Sequence, residues 1–458
     1  MSLSGVRPAV SRIARRCYSA QASATRKSEE GAILPKQDVV VSKLANGLTV
    51  ASLDNYSPVS KVSVVVNAGS RYETSENLGI THCLRTFANL TSKGASSFSI
   101  SRGLEDIGAS LEATTTKEHM IYTVQCLRDN LDTACHYLTA VTTGQEFRDW
   151  EVKDNKIRLK MDLAVRNNDL IADVIEGLHS AAFRSSLGKS LYAPEFMIPS
   201  ISPQSLHDFV DGHFLAGNMA LVGVGVDHDD LRAFGDKMPL KEGGVVQKVP
   251  AKFHGGQQSR NPTSSALAFA AIGVEGTSLS SKDLLTAGVL QHLMGVGQHV
   301  KWGSNVASSR LNQSAAQVTS LPSSTNCFNL AYTDAGIFGV CAITQSQDMN
   351  PILKSVMGVF RAATKGNIDS KDFQRAKNQL KSSLLMKYEN QETILEDIAI
   401  QALATGGFKP ISEVVADIDA ITADDAVRLA KKMFNGKPSM AVSGNLSNTS
   451  YLEELMSA

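Results

Sequence analysis

Short runs of apolar and β-branched residues alternate along the chain with longer amphipathic stretches. The runs DVVVSKL (38–44) and LTVASL (48–53) flank Asn46-Gly47, and this arrangement predicts a β-hairpin. Three further strands are predicted at KVSVVVNAG (61–69), YTVQCL (122–127) and MALVGVGV (219–226). Helical periodicity covers residues 149–166 and 168–184. Strands and helices mixed in this order predict an α+β fold.

The second half of the chain repeats the end of the first half. SISPQSLHDFVDGHFLAGNMALVGVG aligns without a gap to AITADDAVRLAKKMFNGKPSMAVSGN, so that Ser202 lies over Thr422 (422 − 202 = 220) and Phe214 over Phe434 (434 − 214 = 220). Upstream, VKDNKIRLKMDLA resembles SKDFQRAKNQLKSSL, and SALAFAAIGVEG resembles KVSVVVNAGSRYE. Repeats in matching order predict duplication of a domain of about 200 residues. The predicted domains are 36–232 and 251–458, joined by a linker at 233–250 that is rich in Gly and Lys.

The first 35 residues differ in kind from the rest. Six basic residues precede the first acid, Glu29, and apolar and basic positions fall on opposite faces of a helical projection. This Arg-rich, acid-poor, Ser- and Ala-rich pattern predicts a mitochondrial transit peptide, and the alternative is a disordered basic tail. The sequence RRCYSA places the expected cleavage between Cys17 and Ala24.

The amino-acid composition argues against several kinds of function. Lys plus Arg and Asp plus Glu are both 45, and the body of the chain has no basic run, which argues against a nucleic-acid partner. The longest apolar runs, such as ALAFAAIGV, fall far short of the roughly 20 residues of a spanning helix, so any membrane contact is expected through partners. Six scattered cysteines form no Cys-x-x-Cys, which predicts reduced thiols and no haem or iron–sulfur cofactor.

Candidate chemistry begins at GITHCLRTFANLTSKG (79–94), where His82 lies near the start of a predicted helix. Some zinc peptidases carry His-x-x-Glu-His at such a helix start. Arg85 and Thr86 stand here where that motif has Glu and the second His. A guanidinium cannot accept a proton, and a threonine hydroxyl is not among the usual ligands of zinc.

The duplicated halves and several motifs resemble the family of mitochondrial processing peptidases and insulinase-like zinc proteases. The motifs are NGLTVASLDN, AGSRYETSENLGITH, TSKGASSFS and YTDAGIFGV. The resemblance covers nearly the whole chain after residue 35. It implies two peptidase-like domains and a zinc ion held by two His and by a Glu from a later helix.

Carried over residue by residue, the resemblance assigns His82 to the first ligand, Arg85 to the catalytic base and Thr86 to the second ligand. The alignment places Lys160 at the third ligand, and a shift of two residues would place Asp162 there. At most two of the three required ligands exist, so we expect no metal and no catalytic residue. His82 is expected to be a buried histidine with a structural hydrogen bond.

The resemblance further implies a non-catalytic subunit of a dimeric respiratory-chain complex, peripheral on the matrix side of the inner mitochondrial membrane. Its partners would be a homologous core subunit and other subunits of that complex. Two alternatives stay open: a substrate-binding subunit of an active processing peptidase whose partner carries the zinc, and a module that holds a presequence peptide without cleaving it.

A second glycine-containing stretch, MGVGQHVKWG (294–303), is not expected to bind a nucleotide or phosphate. Gly295 and Gly297 lack the third glycine of a dinucleotide fingerprint, and no Walker Lys-Ser/Thr follows. It is expected to be a mobile loop. His292 and His299, which flank these glycines, have no accompanying carboxylate, so we expect no metal site there.

Overall fold

A computed structural model describes residues 38–261, 266–297, 309–366 and 368–457. The predicted transit peptide and most of the 294–303 stretch therefore lie outside the described residues. The first half contains strands and helices in the mixed order that the pattern predicted. Its six strands are β1 Val40–Lys43, β2 Thr49–Leu53, β3 Val59–Val66, β4 Ser110–Thr115, β5 Met120–Leu127 and β6 Met219–Val224. Its seven helices are α1 Ile80–Thr86, α2 Ser97–Asp106, α3 Leu131–Thr143, α4 Asp149–Arg166, α5 Leu170–Phe183, α6 Pro203–His213 and α7 His228–Lys237.

The second half follows the same plan. Its described strands are β7 Gly256–Arg260, β8 Leu267–Glu275, β9 Ser324–Ala331, β10 Gly336–Gln345 and β11 Ser439–Gly444. Its described helices are α8 Leu284–Met294, α9 Arg310–Val318, α10 Met349–Thr364, α11 Ser370–Lys387, α12 Gln391–Thr405, α13 Ile411–Ala420, α14 Ala423–Phe434 and α15 Leu452–Ser457.

Five strands of the first sheet correspond in order to the five described strands of the second. The first has the order β1-β2-β6-β3-β5-β4 and the second β7-β11-β8-β10-β9. In both, the last long strand of the half (β6 or β11) pairs parallel to one neighbour and antiparallel to the other. Strand β1, paired with β2 through the predicted hairpin, has no counterpart among the described residues of the second half. The predicted α+β fold with two related halves is confirmed.

The gap-free alignment of the two halves is wrong by one residue in its last strand. Helices α6 and α14 both begin at a capping box, with Ser202 and Thr422 as the N-caps, as a 220-residue offset requires. In the strands, Met219 and Met440 (440 − 219 = 221) both face the main core of their half, and Ala220 and Ala441 both face the opposite side. Because strand side chains alternate faces, a slip of one residue would exchange the two sides. The structure therefore places one extra residue after α14.

The segment predicted as a linker begins inside a helix. Helix α7 continues to Lys237, and the next strand, β7, begins at Gly256. Only residues after Lys237 run without a regular helix or strand. The linker prediction of 233–250 therefore starts about one helical turn too early, because the charged helix HDDLRAFGDK offers few apolar positions to identify it.

Each half lends one helix to the sheet of the other half. Helix α5, from the first half, covers the outer face of the second sheet, where Leu178 packs with Ile337 and Ala441. Helix α12, from the second half, covers the outer face of the first sheet, where Ile398 packs with Val65 and Val222. Both sheets therefore bury an apolar face that only the other half can cover, and the two halves interlock.

Candidate functional site

The helix that carries His82 is held in place by a buried glutamate. Both oxygens of the Glu73 carboxylate accept hydrogen bonds at the start of α1: one from the Gly79 N–H at 2.8 Å, the other from the N–H and hydroxyl of Thr81 at 3.1 and 2.7 Å. Burial raises the pKa of Glu73, against the lowering effect of these donors. Gly79 has φ +82°, and a Cβ there would lie 2.2 Å from the Cα of Ala193, so only glycine fits. The start of α1 is thus fixed in position.

The same sequence motif contains the residue that joins the two halves. The Arg71 side chain is fully buried and donates to Glu118 Oε1 at 2.7 Å within its own half. It also donates to both carboxylate oxygens of Asp334 in the second half, at 2.7 and 2.5 Å, and to the carbonyl of Val249. Thr333, next to Asp334, donates its N–H and hydroxyl to Glu118. Sequence reasoning missed this junction, although both partners lie in the motifs AGSRYETSENLGITH and YTDAGIFGV.

His82 is fully buried in α1, with a defined partner for each ring nitrogen. The N–H of Ala193 donates to Nδ1 at 3.3 Å, so Nδ1 is the acceptor and Nε2 carries the proton. Nε2 then donates to Asp162 Oδ2 at 3.3 Å. Burial, with the nearby Arg85 charge, lowers the pKa of His82 to about 4, so the contact with Asp162 is a hydrogen bond of a neutral imidazole at pH 7. These two hydrogen bonds match the structural role expected for His82.

Arg85 occupies the space next to His82 with its positive charge. Its guanidinium lies 3.6 Å from the same oxygen of Asp162 that accepts from His82. It also lies 5.5 Å from the ring centroid of Tyr192, and the guanidinium of Arg166 lies at the same distance from that ring. The Tyr192 ring in turn meets the His82 ring edge-on at 5.3 Å. The carboxylate nearest to His82 therefore already accepts a hydrogen bond from His82 and forms an ion pair with Arg85.

Thr86 and Lys160 take no part in a metal site. The Thr86 hydroxyl donates to the His82 carbonyl at 2.9 Å, one turn back in the helix. Lys160 lies on the exposed side of α4, and Asp162, two residues further, is the α4 side chain that contacts His82. The alignment that put Lys160 at the third-ligand position is corrected to Asp162. The register of α4 against α1 depends on packing, which sequence spacing alone does not give.

The residues present do not fit a zinc ion. A catalytic zinc needs three protein ligands, and here only His82 and Asp162 converge, while a guanidinium stands beside the carboxylate. Across the described parts of the chain, no group of three or more His, Cys, Asp or Glu side chains is arranged to hold a metal ion. His292 lies near the end of α8, and His299 is outside the described residues.

A cleft of about 530 Å³ lies between the two halves, next to His82. Tyr192 and Arg166 line it from the first half, and Arg260 lines it from the second. Asp173 connects the two sides of the cleft, because its Oδ1 lies 2.6 Å from Nη1 of Arg260 and 3.4 Å from Nη2 of Arg166. Tyr192 thus separates the cleft from His82. No sequence pattern identified Tyr192 or Asp173, whose roles depend on how α5 docks on the second sheet.

Comparison with protein families gives two matches along the chain. The insulinase family, peptidase family M16, matches residues 49–195, and the peptidase M16 inactive domain matches residues 200–380. These ranges include the α1 helix in the first match and most of the second half in the other.

Comparison with individual proteins gives relatives along nearly the whole length. The human protein named cytochrome b-c1 complex subunit 2, mitochondrial, is 42% identical over 426 residues, which cover 93% of this chain and 94% of the human protein. The mitochondrial-processing peptidase subunit alpha of Solanum tuberosum is 30% identical over 416 residues, 89% of this chain and 82% of that protein. A chain in the solved structure "Complex III2 from Candida albicans, Inz-5 bound" superposes with a TM-score of 0.80 at 21% identity, covering 92% of this chain and 99% of that one, which shows the fold.

The helices also bear on membrane contact. Over the described residues, none combines the length and the apolar character that a membrane-crossing segment requires.

Proposed function

The chain belongs to the insulinase family of peptidases, peptidase family M16, and from this premise we propose that it is a non-catalytic core subunit of the mitochondrial cytochrome b-c1 complex, respiratory complex III. The observation that carries the proposal is the set of contacts at the position where the family's zinc site would lie. His82, Arg85 and Asp162 satisfy one another there, and neither a zinc ligand set nor a catalytic base is present. The 42% identity to the human subunit 2, over 93% of this chain, supports the assignment to that complex.

The role of such a subunit is assembly and stability. The redox chemistry belongs to other subunits, because the sequence has no Cys-x-x-Cys-His and no cysteine cluster for haem or iron–sulfur ligation. Its partners are the homologous core protein 1 and other subunits of the dimeric complex. It sits peripherally on the matrix side of the inner mitochondrial membrane and meets the membrane through those partners.

A second function has one observation in its favour. The cleft between the halves is of the size that binding pockets have, and the potato relative at 30% identity is named a processing-peptidase subunit. The chain would then hold presequences, either for a zinc-bearing partner that cleaves them or without cleavage. Tyr192 and its two arginines stand between that cleft and His82, which favours the structural role.

Blue-native separation of mitochondrial membranes tests the proposal. We expect the chain to migrate with the haem-containing cytochromes of complex III, and its loss to deplete the assembled complex. Migration of the chain in a heterodimer that cleaves presequences and contains no cytochrome would support the second function and overturn the first.

A further inference from the structure

The second half contains an apolar pocket that neither proposed function uses. It lies between strands β8 and β10 on one side and helices α10 and α14 on the other, with Met456 of α15 at its edge. Its volume is about 180 Å³. Six of the apolar side chains that line it are Ile272, Val274, Phe338, Met357, Phe360 and Phe434.

The size of this pocket suits one aromatic ring. An apolar cavity of about 150 Å³ in another protein stays dry and binds benzene, whereas pockets for whole small-molecule ligands begin near 300 Å³. Three phenylalanines surround the space: Phe360 stacks on Phe434 at 4.5 Å, and Phe338 meets Phe434 edge-on at 6.1 Å. Added aromatic rings pack favourably against such faces and edges. A full lipid chain would not fit.

The charged residues that line the pocket or directly adjoin a lining residue in sequence are mostly basic. Arg361 lines it and is exposed, with one nitrogen directed at the carbonyls of Leu455 and Met456 at 3.5 and 3.3 Å. Lys365 follows a lining residue on α10, and Lys437 lies between two lining residues; both are exposed. One exposed acidic residue, Glu275, also follows a lining residue, Val274, whereas Glu453 and Glu454 on α15 do not line the pocket and Glu454 lines a different surface depression. A carboxylate just outside the pocket would therefore meet positive charge.

We propose that this pocket anchors a phenylalanine side chain from an acidic segment of a partner protein. Binding energy at protein interfaces concentrates in a few aromatic anchors that fill desolvated pockets, and charged rims select the partner. The inference goes beyond the proposed function, because membership of a complex does not specify which surface binds. It also stands independently, since a failure to bind would leave the site around His82 unchanged.

The test uses the purified full chain and ligand-observed NMR titration of three acetylated peptides, EDFDE, EDADE and KKFKK. We expect EDFDE to bind at least about tenfold more tightly than EDADE, the least that burial of a phenyl side chain contributes. KKFKK should bind more weakly than EDFDE, and 0.5 M salt should narrow that gap.

Two variants and a control connect the binding to the pocket. Thr364→Trp fills the pocket and should abolish the difference between EDFDE and EDADE, while Arg361→Glu should reverse the preference for EDFDE over KKFKK. Lys371→Glu, an equal charge reversal at an exposed position outside the pocket, should change neither. Thermal melts of each variant verify folding. Equal affinity for EDFDE and EDADE in the wild type would overturn the proposal. So would Arg361-dependent sedimentation with phosphatidylglycerol vesicles in the absence of that difference, because it would assign the basic rim to a membrane.

Discussion

Replacing Arg71 with methionine should loosen the junction between the halves without emptying the space that the side chain fills. Methionine keeps much of the aliphatic volume but removes every donor to Glu118, Asp334 and the Val249 carbonyl. Breaking a buried ion pair by removing one partner costs about 3–5 kcal/mol. Asp334 is 27% exposed and regains some water, so we expect the lower end, about 3 kcal/mol.

The thermal shift follows from the size of the cooperative unit. The unit spans about 420 residues, and an unfolding entropy of about 2.1 cal/mol/K per residue gives about 0.9 kcal/mol/K. A loss of about 3 kcal/mol then lowers the Tm by roughly 3 °C if both halves unfold together. Differential scanning fluorimetry of the recombinant chain resolves this shift. The control is Arg148→Met, which removes a half-exposed ion pair with Glu146 and should cost less than about 1 kcal/mol.

A double-mutant cycle isolates the interaction across the junction. Burial, the largest single effect, would raise the pKa of Asp334, but the hydrogen bonds and charge of Arg71, with the Ala251 N–H and Lys248, together hold that pKa below its ordinary value. Asp334→Asn combined with Arg71→Met should therefore cost clearly less than the sum of the single changes. A carboxyl with a lowered pKa contributes stability above its unfolded pKa and loses it as pH falls through the folded pKa, so the coupling should vanish only in strong acid. A cost of Arg71→Met equal to that of Arg148→Met, or strict additivity in the cycle, would refute the role of the junction.

Four further outcomes follow from the site around His82. Elemental analysis of the purified chain should find no stoichiometric zinc, and about one zinc per chain, lost in His82→Ala, would contradict the ligand count. The triple change Arg85→Glu, Thr86→His and Asp162→Glu should give weak zinc binding and poor presequence cleavage, because supporting contacts of the ligands are missing; efficient cleavage by this variant would show that the site needed only its ligands. Glu73→Gln should destabilise the protein by about 1–3 kcal/mol, measured by urea unfolding, since the amide NH2 that replaces one carboxylate oxygen would face the N–H donor of Gly79 or of Thr81; no change would contradict the anchoring role. Burial lowers the pKa of His82 to about 4, below its value in the unfolded chain, so the unfolded state binds the proton first as the pH falls. The free energy of unfolding should therefore decrease by up to about 1.4 kcal/mol per pH unit between pH 6.5 and pH 4. This dependence on pH should be weaker in His82→Gln.

Periodicity and turn residues predicted five of the six strands of the first half and its two long helices, but not β4, α2, α3 or α7. The predicted hairpin and the helix at 149–166 agree with the structure, because their signals are local. The duplication was also visible, but the register of its last strand was not. One inserted residue leaves the helical part of the alignment intact and still moves every strand side chain to the other face.

The arrangement around His82 was predicted only in part. The loss of the catalytic base at Arg85 and of a zinc ligand at Thr86 could be recognised from residue types alone. The choice between Lys160 and Asp162 required the rotation of α4 against α1, which long-range packing decides. The sequence also does not show that α5 covers the second sheet and α12 the first. The apolar positions of a helix predict that one side is buried, but they do not say which sheet buries it.

We expect this member of the peptidase family to support assembly and not catalysis. The most direct measurement compares a strain that lacks the chain with the same strain carrying wild-type protein or Asp162→Asn, the change that removes the carboxylate beside His82. Spectroscopic haem in the blue-native complex III band and presequence processing are measured in each. We expect the null strain to lose the haem band and Asp162→Asn to restore it with normal processing. An intact haem band in the null strain, or a processing defect in Asp162→Asn with the haem band preserved, would contradict the account.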